Sequence, residues 1–201
     1  ALNAGDVAAG ATVEFYDASG ERVARHALPA LGPGGSTLLS LSAVGALPPN
    51  VPYSAVLMGE GGAPFAVSVS LNKSGVDVAA HEGFTTGGAI LYAPLLFKNH
   101  FGWNTLMQVQ NLGEDHAPVT VTYRHRDSGE TWSESFTLPP RSPRLLSQAA
   151  SGLLPDGYVG SAVVVATNGT PLGLVVHEEK NTWAMEYAGI QGGSTALAAP
   201  L

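Results

Sequence analysis

The sequence predicts an all-β protein that consists of two tandem immunoglobulin-like antiparallel β-sandwich modules. Three observations predict this fold class: the composition, an internal repeat, and short segments in which apolar and polar residues alternate. The composition combines 25 Gly and 14 Pro with 12% charged residues, which is typical of many short strands joined by turns. The length of 201 residues suits two modules of about 100 residues each.

An internal repeat relates the two halves of the chain at an offset of about 107 residues. "LNAGDVAAGATVEFYDASGE" aligns with "QNLGEDHAPVTVTYRHRDSGE", "LLSLSAVGALPP" with "LLSQAASGLLPD", and "GFTTGGAILYAPL" with "GIQGGSTALAAPL". Matches in the same order along both halves indicate a tandem repeat. We therefore predict one module over residues 1–95 and a second over residues 96–201, joined by an apolar segment.

The second module shows the strand pattern most fully. Val119, Val121 and Tyr123 alternate with polar residues, as in a half-buried strand, and Asn168-Gly169 is a type I′ hairpin signal. Predicted strands lie near 104–112, 117–126, 130–138, 143–148, 157–167, 170–178 and 182–188. The segment "AASGLLPD" carries no strand pattern and is predicted to cross between the two sheets. With no cysteine in the chain, the Cys…Trp…Cys hallmark of true immunoglobulin domains is missing, so the exact topology stays open.

The first module repeats the pattern in "ATVEFYD", where Val13 and Phe15 occupy one face. The strand "GWNTLMQVQN" precedes Asn111, whereas the matching Asn3 has two residues before it. We therefore expect module 1 to lack its first strand and to expose an apolar groove with an unpaired backbone edge, which templates strand addition.

The C-terminal tail "STALAAPL" also alternates, with one face formed by Thr195, Leu197, Ala199 and Leu201. We predict that this tail completes the first module of the next subunit, where Leu2, Val13 and Phe15 form the acceptor. A head-to-tail contact that does not close yields an open filament. The alternative is that the chain is a fragment of a longer repeat protein.

Charge and composition exclude several classes of partner and chemistry. The net charge is −7 and the 9 Lys and Arg residues are scattered, which argues against nucleic acid binding. The chain has no cysteine for disulfides or thiolate metal sites. No apolar run approaches the length of roughly 18 residues that a membrane-spanning helix needs.

The sequence provides no convincing catalytic or metal site. The 6 histidines are dispersed, whereas zinc needs three or four convergent ligands. Ser70–Lys73 matches an SxxK pattern, but the companion elements of that chemistry are missing. Glu178 and Glu179 are adjacent and cannot flank one glycosidic bond. We therefore predict no catalytic, cofactor-binding or metal-binding residues, and no enzyme activity; the alternative is a calcium site at the turn with Glu114, Asp115 and Asp6.

Aromatic residues of the second module offer one candidate ligand surface. Trp132, Trp183 and Tyr187 are candidates for a platform on which sugar rings would pack against the flat aromatic faces. The alternative is that these side chains fill the sandwich core or the joint between modules.

The segment "PLLFKNHFGWNTLMQVQN" resembles a repeat found in large secreted or cell-surface proteins of filamentous or thermophilic bacteria, with the pattern PLxxKNxxGWNTxxxVQN. The residues that carry the match are Pro94, Leu95, Lys98, Asn99, Gly102, Trp103, Asn104, Thr105, Val109, Gln110 and Asn111. The resemblance covers nearly all of residues 94–201 and, more weakly, 1–93. It implies an extracellular structural or adhesive role and supplies no active site.

Together, these patterns favour a non-enzymatic structural subunit of an extracellular bacterial filament or surface layer, assembled with copies of itself. The alternative is an adhesive, carbohydrate-binding module of a larger secreted repeat protein, with glycans as partners.

Overall fold

The computed structural model describes residues 1–45, 47–49, 51–73 and 77–195, and this part of the chain is all-β. Its regular elements are antiparallel strands and two short 3₁₀ turns, Leu41–Ala43 and Glu60–Gly62. None of the described helical turns is long or apolar enough to cross a membrane.

The strands fall into an N-terminal half, β1–β7, and a C-terminal half, β8–β15. In the N-terminal half they are β1 (Leu2–Asn3), β2 (Ala9–Tyr16), β3 (Arg22–Leu31), β4 (Ser54–Gly59), β5 (Phe65–Ala66), β6 (Ser68–Lys73) and β7 (Asp77–Glu82). In the C-terminal half they are β8 (Ile90–Lys98), β9 (Asn104–Asn111), β10 (Ala117–His125), β11 (Thr131–Leu138), β12 (Pro143–Ser147), β13 (Tyr158–Ala166), β14 (Leu172–Lys180) and β15 (Trp183–Ala188).

The C-terminal half contains two four-stranded sheets in a sandwich-like arrangement. Their strand orders are β11-β10-β13-β8 and β12-β9-β14-β15. The inward residues of both sheets alternate with outward ones and form one apolar core, which includes Met107, Val121, Val164 and Val176. The seven strands predicted between residues 104 and 188 are confirmed, with ends shifted by at most two residues. The segment between β12 and β13 crosses from one sheet to the other, as predicted.

The prediction that "GWNTLMQVQN" forms the first strand of the second repeat was wrong. Strand β8 comes before it, pairs with β13, and crosses the predicted boundary at residue 95. Gly102, with φ of 85°, and Trp103 lie in the turn that joins β8 to β9. From the sequence, this segment was assigned to the apolar joint between the modules. It contains Pro94, which cannot donate to a strand ladder. The structure accommodates Pro94 at a register shift beside Ser161, where a bulge makes that donor unnecessary.

The N-terminal half repeats the strand order with fewer partners. It contains a sheet β3-β2-β4 and the pairs β1-β5 and β6-β7. Subtracting 107 from the numbers of β14, 172–180, gives 65–73, which are the bounds of β5 and β6 together. The same subtraction carries β13 onto β4 and β15 onto β7, within a few residues.

One asparagine performs the same structural task in each half. Asn111 Nδ2 donates to the carbonyl oxygens of Asp115, Leu138 and Pro139, and its Oδ1 accepts from Gly113 N. Asn3 makes the matching bonds to Val7 O, Leu31 O and Gly5 N. Both side chains are fully buried. Because a buried amide must satisfy its donors and acceptors, the two halves share this turn geometry as well as their sequence.

The N-terminal half lies against the outer face of the sheet that contains β9 and β14. Gln108 Nε2 donates to Tyr53 O at 3.0 Å, and Ser54 Oγ donates to Arg141 O. Strand β7 lies alongside β15, where His81 Nδ1 is 3.1 Å from Glu186 Oε2. The two halves therefore meet through polar contacts as well as apolar ones.

Candidate functional site

The feature with the clearest functional potential is the outer edge of β4. Its counterpart β13 pairs with β10 on one side and with β8 on the other. Strand β4 pairs with β2, and no strand of the described residues pairs with its other side. An unpaired strand edge presents backbone donors and acceptors that are ready to bind a further strand.

The backbone direction of this edge follows from the repeat. Ala166 N donates to Ala89 O at 2.8 Å, so alternate amides of β13, those of Val164 and Ala162, also face β8. The counterparts of these two residues are Leu57 and Ala55. We therefore assign their amides to the open edge of β4.

An apolar cleft of about 1860 Å³ lies beside this edge, between the two halves. From the N-terminal half it is lined by Val13, Phe15, Leu57 and Phe65, and from the C-terminal half by Leu106 and Val175. The cleft and the open edge of β4 together form the acceptor groove. Its lining can take the alternate apolar side chains of a strand whose backbone pairs with β4.

The apolar core of the N-terminal half is small. Its buried cluster consists of Ala11, Val13, Phe15, Leu28 and Val44. Nearby, Leu38 and Leu41 are 88% and 59% exposed. Exposure of several large apolar side chains around one groove is typical of a surface that binds a partner.

A cluster of ionisable side chains lies at the end of the cleft, where the two halves meet. Glu186 Oε2 lies 3.1 Å from His81 Nδ1, and Glu186 Oε1 lies 3.7 Å from His177 Nδ1. Burial acts to raise the pKa of the Glu186 carboxyl, but the imidazoles of His177 and His81 outweigh it and lower the pKa to about 2. This carboxylate therefore connects β7 of one half to β14 and β15 of the other.

The structure positions the predicted acceptor residues unequally. Val13 and Phe15 line the acceptor groove and are 7% and 3% exposed, so neighbouring side chains already cover most of them. Leu2 is 38% exposed and pairs with Ala66. Of the predicted donor residues, Thr195 is exposed. The remaining predicted donor residues, Leu197, Ala199 and Leu201, lie outside the described residues.

The structure does not bring the three aromatic residues together into one platform. Trp132, on β11, packs edge-on against Tyr158 with ring centroids 5.9 Å apart. Trp183, on β15, is 71% exposed, and β11 and β15 are edge strands of different sheets. Tyr187 is partly buried, and its hydroxyl donates to Leu95 O. Only Trp183 of the three presents a freely exposed ring.

The KNxxGWNT motif has a structural role in this protein. Lys98 is buried, and its Nζ donates to Ser151 O at 2.6 Å and Leu154 O at 2.7 Å. Asn104 Oδ1 accepts from Asn99 N in the turn between β8 and β9. The motif therefore fixes this turn and holds the loop that crosses between the two sheets.

The described residues contain no group of three or more His, Cys, Asp or Glu side chains arranged to hold a metal ion. Ser70 and Lys73 lie on one strand, β6, rather than at the start of a helix. The geometry that the SxxK chemistry requires is therefore not formed here.

Glu178 is a buried carboxyl group, which was not predicted from the sequence. Its side chain points into the core of the C-terminal half, is 2% exposed, and leaves Oε1 without a hydrogen-bond partner. Burial raises its pKa to about 7, although the charge of His177 acts in the opposite direction. The alternation of "LGLVVHEEK" indicates this inward position, because Glu178 shares the face of Leu174 and Val176.

Comparisons with known proteins provide little further information. No family model matches the chain, and no curated protein matches it. Among solved structures, a crystal structure of Thermotoga maritima 1070 is similar, with a TM-score of 0.44 and 15% sequence identity. The similarity covers 53% of this chain and 98% of that one.

Proposed function

We propose that this protein is a non-enzymatic structural subunit of an extracellular bacterial filament or surface layer, in which subunits associate head to tail by β-strand addition. In this proposal the chain consists of two immunoglobulin-like sandwich modules. The first module is completed when a strand binds in its acceptor groove.

The observation that carries the proposal is the difference between β4 and β13. Strand β13 has partners on both sides, whereas β4 has β2 on one side and no described strand on the other. A strand bound to β4 would restore the four-stranded order of the C-terminal half. Main-chain hydrogen bonds would supply affinity, and alternate side chains in the cleft would supply specificity.

The cleft gives this association an apolar contribution. Burying one Leu side chain stabilises a complex by roughly 1.5–3 kcal/mol. Burial of two such side chains, together with the main-chain hydrogen bonds, therefore contributes more binding free energy than a single weak surface contact does. The extracellular setting is supported by the resemblance of the KNxxGWNT segment to repeats of secreted bacterial proteins.

The test of this proposal is the association state of the purified chain. We expect concentration-dependent multimers in sedimentation velocity, and linear arrays in negative-stain electron microscopy. The variant Ala55→Pro removes an amide from the open edge of β4 and introduces a ring into the path of the added strand, so association should weaken at least about 10-fold.

Ala55→Ser is the matched control, because it keeps the amide and should associate like the unmodified chain. Circular dichroism on both variants checks that the sheets are retained. Monomers of the unmodified chain across the micromolar range would refute the proposal, and so would full association of Ala55→Pro.

Trp183 favours a second candidate function, a carbohydrate-binding module in adhesion. Its ring is 71% exposed and lies beside the polar side chains of Asn181 and Glu179. Glycan-array binding that is lost in Trp183→Ala and kept in Trp132→Phe would support this candidate. Absence of any glycan signal for the unmodified chain would exclude it.

A further inference from the structure

We propose that the strand bound in the acceptor groove is residues 196–201 of a second copy of this chain, in the register that β8 has on β13. This inference rests on the proposed function and specifies its donor. Its template is the pairing of β8 with β13, which is the equivalent contact in the C-terminal half.

The donor and the template have related sequences. Residues 196–201, "ALAAPL", align with residues 90–95, "ILYAPL". Seven residues before each segment, Gly189 N donates to Leu174 O as Gly83 N donates to Val67 O. The two segments therefore correspond position by position.

The two segments agree at four positions, of which two, Leu91 and Ala93, are buried in β8 and two, Pro94 and Leu95, are exposed. In β8 the inward residues Leu91 and Ala93 are 1% and 0% exposed, and their counterparts are Leu197 and Ala199. The outward residues Ile90 and Tyr92 are 45% and 40% exposed, and both are replaced by alanine in the tail. The tail therefore keeps both inward side chains ahead of the proline and shortens the two outward ones, which a strand that fills an equivalent groove can do without losing its buried face.

The template also fixes the register. Leu91 is opposite Val164 and Tyr92 is opposite Val163. Subtracting 107 from the β13 numbers, Leu197 of the donor lies opposite Leu57 of the acceptor, and Ala198 lies opposite Val56.

Proline provides an independent marker of this register. Pro94 lies where β8 and β13 shift register beside Ser161. The tail has Pro200 at the equivalent position, and the acceptor has Ser54 in place of Ser161. Proline has no backbone N–H to donate. If the donor strand shifted by one residue, Pro200 would lie opposite a carbonyl oxygen of β4 that needs such a donor.

The second edge of the donor also has a partner in the template. Tyr92 N donates to Ile190 O at 2.8 Å, and Ile190 N donates to Tyr92 O at 3.0 Å. The counterpart of Ile190 is Phe84, which lines the cleft. The donor strand therefore lies between β4 and Phe84 and is held on both edges.

The register can be measured by disulfide trapping, because the chain has no cysteine of its own. The backbone of Tyr92 bonds to Ile190, so Tyr92 and Val163 form a non-hydrogen-bonded pair, whose Cα atoms are about 4.5 Å apart in such ladders. That separation suits a disulfide. One copy carrying Ala198→Cys is mixed with a second copy carrying Val56→Cys under mild oxidation.

We expect the mixture to form a covalent dimer in high yield. The matched control pairs Ala198→Cys with Met58→Cys, two residues along β4, where the diagonal separation of about 7–8 Å prevents a disulfide. A dimer in the control mixture that equals or exceeds the Val56 mixture would overturn the register.

A second pair of variants tests the donor face. Leu197→Asp places a carboxylate in the apolar groove and should weaken association at least about 100-fold. Ala198→Asp places the same group on the outward face and should change association by less than about 3-fold. Equal effects of the two variants would refute the assigned face.

The two proposals fail in different ways. If the unmodified chain does not associate, the proposed function is wrong and this inference with it. If the chain associates, but Leu197→Asp has no effect and Val56→Cys does not trap the tail, the assembly is real and the assigned donor is wrong.

Discussion

Strands β13 and β4 are repeat counterparts with different surroundings. Strand β13 lies between β10 and β8, and its Val164 is fully buried. Strand β4 has β2 on one side, and Leu57, the counterpart of Val164, is partly exposed beside the cleft. Two segments with the same strand pattern therefore differ in their pairing, because among the described residues β13 has two neighbouring strands and β4 has one. The lesson is that a repeat can conserve its strands while the structure leaves one edge open.

The largest expected effect compares an aspartate at these two counterpart positions. Val164→Asp should destabilise the chain by at least ~4 kcal/mol, because a carboxylate without a partner is buried between two sheets. Leu57→Asp should cost only about 1 kcal/mol in the monomer, because the carboxylate can reach water through the cleft. Urea unfolding followed by circular dichroism measures both.

Leu57→Asp should nevertheless abolish association, which sedimentation velocity measures separately. Equal losses of stability in the two variants would show that the groove is closed in solution, and the comparison of β4 with β13 would no longer hold.

A smaller effect is expected at Glu178. Its repeat counterpart in the N-terminal half is the apolar residue Leu71. Burial raises the pKa of Glu178 to about 7, above the value near 4.5 expected when unfolded. A raised folded-state pKa gives stability that is fully present below the unfolded value and is lost as the pH rises through about 7. The loss for this group is on the order of 2–3 kcal/mol.

Glu178→Leu should therefore remove this dependence and be more stable than the unmodified chain at pH 8 by about 2 kcal/mol. At pH 4 the two proteins should differ by less than about 1 kcal/mol. The difference between their unfolding curves isolates Glu178 from the titration of His177 and Glu186. Glu178→Gln is the control of similar volume, and a difference that does not vary with pH would contradict the assignment.

The smallest contrast compares the two buried asparagines. Asn111→Ala should lower the free energy of unfolding by about 2–3 kcal/mol, because buried carbonyl oxygens and an amide lose their partner. Asn3→Ala breaks equivalent bonds, but β1 is a two-residue strand, so global stability should fall by only about 1 kcal/mol.

Local opening distinguishes the two asparagine variants further. Hydrogen exchange should accelerate around β1 and Gly5 in Asn3→Ala, and across the core of the C-terminal half in Asn111→Ala. The same global loss in both variants would mean that the two halves unfold as one cooperative unit.

Much of this fold could be predicted from the sequence because the determining patterns are local. Alternation with a period of two located the strands from β9 to β15, since one face of each strand is buried. The repeat identified Asn3 with Asn111, and both occupy the same buried turn. Strand β8 was assigned to the joint between the modules, because only its pairing with β13, which lies far away in the chain, shows that it belongs to the second sandwich and that a bulge accommodates Pro94.

The sequence by itself determined the all-β class, the tandem repeat and most of the strands, because side-chain alternation and turn residues act over a few neighbours. Only the tertiary structure decided which strands became neighbours. The open edge of β4, the cleft between the halves, the bridge of Glu186 to His81, and the separation of Trp132 from Trp183 all depend on contacts between residues far apart in the chain. Such contacts follow from sheet order and packing, which a local pattern does not encode.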